Sequence, residues 1–534
     1  MKQGKRTLFF GLLVLVMASE LSCKKEALAG VKNSWEKVQK EVQFGIVQIL
    51  SYQAEPDFLK PYYKESGEGR GSGALVADAQ GAGLILTSYH VIENAIKVGV
   101  QMPLYCGKRM IPAEVVGVCP DYDIALLRLD PTVCVELTKQ FGALPALKLG
   151  NSDTIHRSEQ LLGLGFPLGE ESLKSITGVV SGYEHVVSQS RLRLHQSYAI
   201  QVSTPLNPGS SGGPVLNKKG EIVGICMSAA DAQSVGFVVP INYYKMLAPQ
   251  LKQGGLTRKP FFGALFCRAK DNELAQLLGN PLPAGCYLSY VSPTGLTGIA
   301  GIKEGDMIYA INGFPVDPYG CIAISGHTGD RLYVQDYLAS FSIGSKFFVE
   351  TYRRGVKLDY NIVLSLSKQP AIRWKYSPYD VIDYEIVGGL LIQELSLNII
   401  ALFEHTQMGN QFPGVRARFA AYKEDSMRED SVLVVTHVFP SSAAYNARSC
   451  GLGAIITEVN DVPVKTLEDI RAALRQQAHK EFVSLKTDEN ELLALPVDVI
   501  VADEARIAQS FGYQITPAMR QLVSESSEKI ATSK

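Results

Sequence analysis

This sequence lacks an excess of charge of either sign. Its 534 residues include 52 Lys and Arg against 53 Asp and Glu. A protein that binds nucleic acid through its phosphates needs a basic surface, so we expect no nucleic-acid partner. Long apolar runs are lacking as well. The apolar stretch near the N-terminus, Leu8–Ala18, is interrupted by Gly11 and is too short for a permanent transmembrane helix, which takes about 20 residues.

Motifs for metals, redox centres and nucleotides are also missing. The sequence contains no Cys-x-x-Cys and no His-Glu-x-x-His, so we expect no metal site and no cofactor. The glycine-rich run at 69–73 lacks the Gly-Lys-Ser/Thr ending of a phosphate-binding loop. Apart from Cys23, the cysteines could pair as disulfides or could be buried as small hydrophobic side chains. These eight are Cys106, Cys119, Cys134, Cys226, Cys267, Cys286, Cys321 and Cys450.

The N-terminus has the layout of an export signal. Basic residues at 2, 5 and 6 precede the apolar stretch, and small residues follow it. Leu21-Ser22-Cys23 then resembles a bacterial lipoprotein processing site, although Glu20 stands where such sites usually have Leu. We therefore predict a signal peptide over 1–22 and a lipidated Cys23. This anchor would hold the chain on a membrane, facing the periplasm of a bacterial cell envelope.

The rest of the chain divides into three units with mainly β character. Short apolar runs alternate with turn residues from 42 to 250, which is typical of barrels or a sandwich and not of βαβ units. The other predicted segments are an N-terminal linker and helix at 23–41, a linker at about 249–259, a second unit at 259–367, a third at 384–501 with a polar insertion near 405–430, and a polar tail with weak helical character at 502–534.

Three segments carry residues suited to nucleophilic catalysis. His90 follows a strand-like run, Asp123 opens one, and Ser211 lies in Asn-Pro-Gly-Ser-Ser-Gly-Gly-Pro at 207–214. A serine hydroxyl is a weak nucleophile until a histidine takes its proton, and a carboxylate orients that histidine. The order His, Asp, Ser is that of chymotrypsin-type enzymes. We predict that these three residues form a catalytic triad.

The glycines around the serine predict an oxyanion hole. They allow successive backbone N–H groups to converge on one point, where the negative oxygen of a tetrahedral intermediate would be bound. We assign the donors to the amides of Gly209 and Ser211, with Ser210 shaping the turn.

Alternative interpretations of these residues are less well supported. Asp121 and Asp130 compete with Asp123, but they fit a preceding turn and the end of the strand. The serine motif also satisfies Gly-x-Ser-x-Gly of α/β-hydrolases, which must connect a strand to a helix. Pro214 and the strand-turn-strand pattern after it disfavour that fold.

The segments together resemble the HtrA/Deg family of serine proteases. Besides the triad segments, the matching pieces are Gly71-Ser72-Gly73, Gly165-Phe166-Pro167 and Thr177–Ser181, in family order. Residues 259–367 and 384–501 resemble two PDZ domains, the second closest to plant-type Deg proteases. The resemblance implies a trypsin-like double β-barrel followed by two PDZ-like α+β domains. Ser88 and Ser210 depart from the family, which usually has Asn at both positions.

The resemblance also implies the function. It predicts an ATP-independent serine endopeptidase that degrades unfolded or damaged envelope proteins and forms trimer-based homo-oligomers. Peptides with free C-termini would bind the first PDZ-like unit through Phe261, Phe262, Gly263, Ala264 and Leu265, and Val387–Leu391 is the corresponding loop of the second. A peptide-binding chaperone or scaffold with little proteolysis is the alternative. Ser210 disfavours activation by N-terminal cleavage, because no Asp is present there to pair with a freed N-terminus.

Overall fold

The computed structural model describes residues 34–77, 83–190, 193–203, 209–227, 235–267, 272–323, 331–338, 341–366, 368–476 and 481–532. Two β-barrels are followed by two units that are each built on an antiparallel sheet. The predicted fold class is therefore confirmed. Within the described residues, no helix combines the length and the apolar character needed to cross a membrane.

The first barrel follows helix α1 and closes on itself. Its strands run in the order β5-β4-β1-β2-β3-β6, and pairing of β6 with β5 completes the ring. The elements are α1 (Ser34–Val42), β1 (Ile46–Pro56), β2 (Lys64–Leu75), β3 (Leu84–Thr87), β4 (Ala95–Gln101), α2 (Pro103–Cys106), β5 (Ile111–Cys119), β6 (Ile124–Leu129) and α3 (Pro131–Phe141).

The second barrel is closed in the order β10-β11-β12-β9-β8-β7, and the helix α4 after it packs back against β5 of the first. Its elements are β7 (Gln160–Gly165), β8 (Lys174–Ser190), β9 (Arg193–Val202), β10 (Pro214–Leu216), β11 (Ile222–Met227), β12 (Gly236–Pro240) and α4 (Ile241–Gln253).

Strand β6 is apolar along nearly its whole length and does not alternate between apolar and polar residues. Successive side chains of a strand point to opposite faces. Leu126 lies in the apolar core shared by the two barrels, whereas Ala125 and Leu127 lie in the interior of the first barrel. Both faces of β6 are thus buried, and the strand holds the loop before it firmly against the barrel interface.

The predicted linker at 249–259 is part of the folded protein. Helix α4 continues through Pro249 to Gln253 and ends at Gly254, whose φ is 98°. The next residues form β13 (Gly255–Leu256), which adds in parallel to β5. Backbone pairing therefore fixes the chain where a linker was expected.

The first PDZ-like unit has the sheet order β14-β15-β16-β20-β21 with β14 at its edge. Its elements are β14 (Ala264–Cys267), α5 (Asn272–Leu277), β15 (Cys286–Val291), α6 (Leu296–Ile299), β16 (Met307–Ile311), β17 (Phe314–Pro315), β18 (Cys321–Ala323), β19 (Arg331–Tyr333), α7 (Val334–Leu338), β20 (Lys346–Arg353) and β21 (Val356–Val363).

The second PDZ-like unit has the order β22-β23-β24-β25-β27-β28, and its insertion is helical. Its elements are β22 (Glu385–Val387), β23 (Leu390–Glu394), α8 (Leu397–His405), α9 (Met408–Gln411), α10 (Pro413–Ala420), β24 (Leu433–Val438), α11 (Ala443–Ala447), β25 (Ile455–Val459), β26 (Val462–Pro463), α12 (Leu467–Gln476), β27 (Phe482–Thr487), β28 (Leu492–Pro496), α13 (Val497–Phe511) and α14 (Pro517–Thr532).

The polar tail predicted at 502–534, with weak helical character, is folded against the second PDZ-like unit. Helices α13 and α14 occupy it up to residue 532. Ile507 is buried against Phe439, and Met519 and Leu522 enter the main core of the second PDZ-like unit. Few apolar residues, spaced to fall on one face of each helix, are enough to bury that face while the composition stays polar.

The cysteines contribute to packing. The structure contains no disulfide among the eight cysteines it describes, and Cys119, Cys226, Cys286, Cys321 and Cys450 are buried. Of the two interpretations left open by the sequence, small buried hydrophobic side chains account for these five.

Candidate active site

His90 and Asp123 are brought together by two adjacent strands of the first barrel. Thr87 at the end of β3 lies opposite Ala125 near the start of β6. His90 sits in the 3-10 turn just after β3, and Asp123 directly follows the turn before β6. The His90 Nδ1 and Asp123 Oδ2 atoms are 2.7 Å apart, and the His90 backbone N–H donates to Asp123 Oδ1 at 2.9 Å.

The backbone of Asp123 is held as tightly as its side chain. Its φ of 56° is left-handed, a conformation that Asp tolerates better than most residues. Its N–H donates to Pro120 O at 3.1 Å, and its carbonyl accepts from the Tyr89 N–H at 3.1 Å. These backbone bonds act together with the two carboxylate bonds to His90 and hold Asp123 against the turn that carries the histidine.

The two competing carboxylates have other partners. Asp121 accepts hydrogen bonds from the Tyr376 hydroxyl and the Lys259 backbone N–H. Asp130 is the N-cap of α3 and accepts from the Thr132 N–H. Within the part of the chain that the structure describes, neither carboxylate bonds to the ring of His90.

Opposing effects set the pKa of His90. Burial alone would lower the pKa because it disfavours the charged imidazolium. The charge and hydrogen bond of Asp123, helped by the charge of Glu93, outweigh burial and raise the pKa above the ordinary value for histidine. The ring is therefore primed to accept a proton and to remain charged beside the carboxylate.

Ser211 lies in a tight turn between the two barrels. Gly209 and Gly212 have φ values of 92° and 82°, which side chains rarely adopt. A Cβ at Gly212 would be 2.3 Å from Ser72 O, so only glycine fits against β2. The Ser211 side chain is buried, and the backbone carbonyl of Ser211 accepts a hydrogen bond from the Ser72 N–H at 2.8 Å.

The turns of His90 and Ser211 meet across β2. A Cβ at Gly71 would lie 2.5 Å from the Val91 side chain and 3.0 Å from Ser211 O, so both turns contact the bare backbone of this glycine. Among the described residues, no hydrogen bond joins the Ser211 hydroxyl to the His90 ring. The structure thus pairs His90 with Asp123 and places the Ser211 turn beside them without that third bond.

The amides assigned to the oxyanion hole differ from those next to them. The N–H groups of Gly212 and Gly213 donate to Cys226 O and Ser210 O, both at 2.9 Å. Those of Gly209 and Ser211 donate to no acceptor in the described part of the chain, and residues 204–208 lie outside it.

Ser72 supports the Ser211 turn, a role that was not predicted from the sequence. Its hydroxyl donates to Gly209 O at 2.7 Å and accepts from the Phe166 N–H at 2.9 Å. It therefore ties the Ser211 turn to both barrels. The Gly-Ser-Gly motif at 71–73 could have indicated this role, since small residues in a strand often mark a close approach of another backbone.

Ser88, which stands where the HtrA/Deg family usually has Asn, contacts the strand that supports the Ser211 turn. Its hydroxyl lies 3.3 Å from Cys226 O, the carbonyl that also accepts from Gly212 N–H. Ser88 thus links the His90 turn to the strand that supports the Ser211 turn.

The predicted peptide-binding loop of the first PDZ-like unit precedes the edge strand β14. Gly263 has a φ of 76°, and a Cβ there would be 2.6 Å from the Gly295 Cα. Phe262 and Ala264 are buried in the core, and the rings of Phe262 and Phe266 are stacked with centroids 6.0 Å apart. Leu265 is half-buried.

The carbonyls of this loop all face inward. Phe261 O, Phe262 O and Gly263 O accept from the N–H groups of Leu296, Thr297 and Ser292. In a trans peptide the N–H points opposite to the preceding carbonyl. The N–H groups of Phe262 and Gly263 therefore point away from this support, on the side where an anion could bind.

The corresponding loop of the second PDZ-like unit has a different environment. Gly388 and Gly389 form the turn between β22 and β23, and Glu385 pairs with Ile392 in that hairpin. One edge of β23 is thus already paired with β22 and the other with β24, so a peptide cannot add to β23, the strand that follows the glycine loop.

Cys23 and the predicted signal peptide lie outside the described residues.

Two known families match parts of the chain. The trypsin-like peptidase domain matches residues 71–225, and the PDZ domain matches residues 375–519. The putative serine protease HhoA of Synechocystis is 30% identical, and the alignment covers 46% of this chain and 61% of HhoA. The serine protease Do-like HtrA of Bacillus subtilis is 30% identical over 48% of this chain and 56% of its own length. The periplasmic serine endoprotease DegP of Salmonella typhimurium is 28% identical over 57% of this chain and 58% of its own length. The chain thus spans about three fifths of the length of these relatives.

A solved structure of the HtrA-type protease AlgW with a decapeptide is also similar. It is 21% identical, covers 63% of this chain and has a TM-score of 0.45.

Proposed function

Since this chain is a homologue of the HtrA/DegP serine proteases and has a trypsin-like peptidase domain and a PDZ domain, we propose that it is a serine endopeptidase. In this proposal His90, Asp123 and Ser211 form the catalytic triad. Unfolded or damaged proteins are the substrates, and cleavage needs no ATP.

One observation carries the proposal. Asp123 binds both the ring and the backbone of His90, at 2.7 and 2.9 Å, beside a serine in a glycine turn. A carboxylate on Nδ1 fixes the tautomer that leaves Nε2 free to act as a base. The raised pKa of His90 agrees with this arrangement, because the same carboxylate stabilises the imidazolium formed during the reaction.

The proposed reaction proceeds in two halves. The Ser211 oxygen bonds to the scissile carbonyl carbon while its proton passes to His90 Nε2, and substrate binding brings these two side chains within hydrogen-bond distance. The amides of Gly209 and Ser211 bind the resulting oxyanion, for which Ser210 shapes the turn. His90 then protonates the leaving amine as the C–N bond breaks, and water releases the acyl group by the reverse sequence.

The PDZ-like units and the N-terminus extend the proposal. We assign Phe261–Leu265 to the capture of free peptide C-termini, with the outward amides of Phe262 and Gly263 as donors to the carboxylate. Relatives named periplasmic support action in the bacterial cell envelope. Lipidation at Cys23 would anchor the chain to the membrane, and the family resemblance favours trimer-based self-association.

The test of the enzyme assignment is Ser211→Ala. We expect cleavage of unfolded casein to fall by roughly 10⁴-fold or more, because the nucleophile is removed. Ser203→Ala, at an exposed serine after β9 of the same barrel, is the matched control and should cleave normally. Casein degradation by Ser211→Ala at the wild-type rate contradicts the triad. A wild-type chain that binds casein without cleaving it supports the chaperone or scaffold instead.

A further inference from the structure

The segment between the two PDZ-like units crosses the protease domain behind the His90–Asp123 pair. Trp374, Tyr376 and Tyr379 pack against the core of the first barrel, and only 1% of Tyr376 is exposed. The chain is therefore buried here, where a connection between domains would ordinarily be exposed.

Asp121 joins this segment to the loop that carries Asp123. Its Oδ1 accepts from the Tyr376 hydroxyl at 2.9 Å, and its Oδ2 accepts from the Lys259 N–H at 2.8 Å. Asp121 lies in the 3-10 turn Pro120–Tyr122 that ends at Asp123. One carboxylate thus fastens the connections to both PDZ-like units to the turn that orients Asp123.

Tyr376 also touches the turn that carries His90. Its ring meets the ring of Tyr89 edge to face, with centroids 6.0 Å apart and planes at 88°. Tyr89 is buried, precedes His90 and donates its N–H to Asp123 O. A shift of Tyr376 would therefore act on both halves of the His90–Asp123 pair.

The second PDZ-like unit holds the other side of this segment. The Lys375 N–H donates to Asn398 Oδ1 at 2.8 Å, and Asn398 Nδ2 donates to Lys375 O at 3.1 Å. The N–H of Leu397, also in α8, donates to Arg373 O at 3.1 Å. Helix α8 thus fixes the backbone on both sides of Trp374 and up to Tyr376.

Arg258 also holds Tyr376 in place. Its guanidinium lies 4.4 Å from the centroid of the Tyr376 ring, and it pairs with Asp380 Oδ2 at 2.6 Å. The same Oδ2 accepts from the Tyr376 N–H at 2.9 Å. The position of the ring therefore depends on charges from the segments leading into both PDZ-like units.

A second contact links the same unit to the His90 turn from another direction. The tip of the β1–β2 hairpin reaches the second PDZ-like unit, where Gln393 Nε2 donates to Phe58 O at 2.9 Å. Midway along β1 of that hairpin, the Ser51 hydroxyl donates to Val91 O at 2.7 Å, next to His90. Displacement of the second PDZ-like unit would therefore disturb the His90 turn at both Tyr89 and Val91.

We propose that Tyr376 and Asp121 are positioning residues through which docking of the second PDZ-like unit keeps the His90–Asp123 pair in its productive geometry. The inference rests on the proposed function. While the unit is docked, the pair is aligned and peptide cleavage is fast. When it moves away, Tyr376 leaves Asp121 and Tyr89, and cleavage slows without any change in the reacting groups. Misplacement by about 1 Å can cost about 10²-fold in rate.

The test uses the full-length chain with Tyr376→Phe, which removes only the hydroxyl. With a short chromogenic peptide ester, we expect kcat to fall about ten-fold with KM unchanged. The rate of Ser211 labelling by an organophosphonate should fall in parallel. Asp121→Asn keeps the aromatic packing and should reproduce the loss. Tyr379→Phe is the matched control, because Tyr379 lies in the same segment, whereas the hydrogen bonds to Asp121 come from Tyr376 and Lys259.

The outcomes separate this inference from the proposed function. A wild-type chain that neither cleaves the ester nor reacts with the phosphonate overturns both. An active wild type with unchanged kcat in Tyr376→Phe and Asp121→Asn overturns only the positioning role. Equal losses in Tyr376→Phe and Tyr379→Phe would also overturn it, since general packing would then explain the effect.

Discussion

At the scale of single residues, the His90–Asp123 pair depends on a few polar contacts in an otherwise apolar barrel. Asp123 is buried, yet both its oxygens and its backbone groups are bonded to the neighbouring turns. A buried carboxylate without such partners would cost several kcal/mol in desolvation. The hydrogen bonds therefore both stabilise the charge and set the direction in which it acts on His90.

The raised pKa of His90 predicts the pH dependence of cleavage. Only the neutral ring can take the serine proton, so kcat/KM should rise with pH through the His90 pKa, at a value above about 6.5. Removing the Glu93 charge by Glu93→Gln removes one cause of the increase, so this acid limb should move to lower pH by less than about one unit. The measurement is the pH profile of kcat/KM with a short peptide substrate.

Asp130→Asn is the matched control for charge. Asp130 caps α3 and is not among the groups that raise the pKa of His90, so the acid limb should stay in place. An acid limb that moves equally in both variants, or that moves upward in Glu93→Gln, would show that His90 is not the group that titrates.

At the scale of secondary-structure elements, the two PDZ-like units differ in the strand next to the glycine loop. In the first unit β14 is an edge strand and pairs with β15. In the second, β22 already pairs along β23. Peptide binding by strand addition needs an open edge on the strand that follows the glycine loop, so the first unit is the one suited to capture a peptide.

We expect the first unit to bind a peptide through its free C-terminal carboxylate. With full-length Ser211→Ala, which cannot consume the ligand, a peptide amidated at its C-terminus should bind about ten-fold more weakly than the free acid. The reason is that the outward N–H groups of Phe262 and Gly263 lose their charged partner. Isothermal titration with the two peptides measures the difference.

Two glycine variants test the loop itself. Gly263→Ala places a Cβ 2.6 Å from the Gly295 backbone and should weaken binding of the free acid by about ten-fold or more. Gly313→Ala is the control, because Gly313 has a similar φ of 78° but nothing within 4 Å of the added carbon. Equal affinity for acid and amide peptides would make 261–265 an ordinary loop before a core strand.

At the scale of the whole molecule, the units form one packed body in which long-range contacts reach the candidate active site. Arg258 and Asp380 pair across the two connecting segments, and Tyr376 is buried in the first barrel. The Glu429 carboxylate of the second PDZ-like unit accepts hydrogen bonds from Tyr290 and Thr294 of the first. Movement of one unit would therefore break contacts that hold the other units in position.

Anchoring of this body to a membrane is the remaining prediction at this scale. The mature chain should begin at a lipidated Cys23, since Leu21-Ser22-Cys23 resembles a lipoprotein processing site and acyl chains on Cys23 would supply membrane affinity. Mass spectrometry of the N-terminal peptide from the membrane fraction measures it, and Cys23→Ser should shift the chain to the soluble fraction. A mature N-terminus at another residue, or an unmodified Cys23, contradicts this prediction.

Residue types and their order in the sequence predicted a mainly β architecture and the candidates for catalysis, and the family resemblance implied the double β-barrel with two PDZ-like domains. Triad residue types in chymotrypsin order, short apolar runs and glycines at sharp turns are local signals, because each reflects the chemistry or backbone geometry of a few neighbouring residues. His90, Asp123 and Ser211 could therefore be named from the sequence, and the structure adds the bond that joins the first two.

Contacts between distant segments could not be predicted from the sequence and are seen in the folded protein. The 249–259 region became a helix end and a strand because β5 had a free edge there, and 502–532 became two helices because their apolar faces fit the core of the second PDZ-like unit. The contact between Tyr376 and Asp121 joins residues 255 positions apart. No local pattern encodes such a pair, since its energy arises only after the barrel and the second unit have brought the two side chains together.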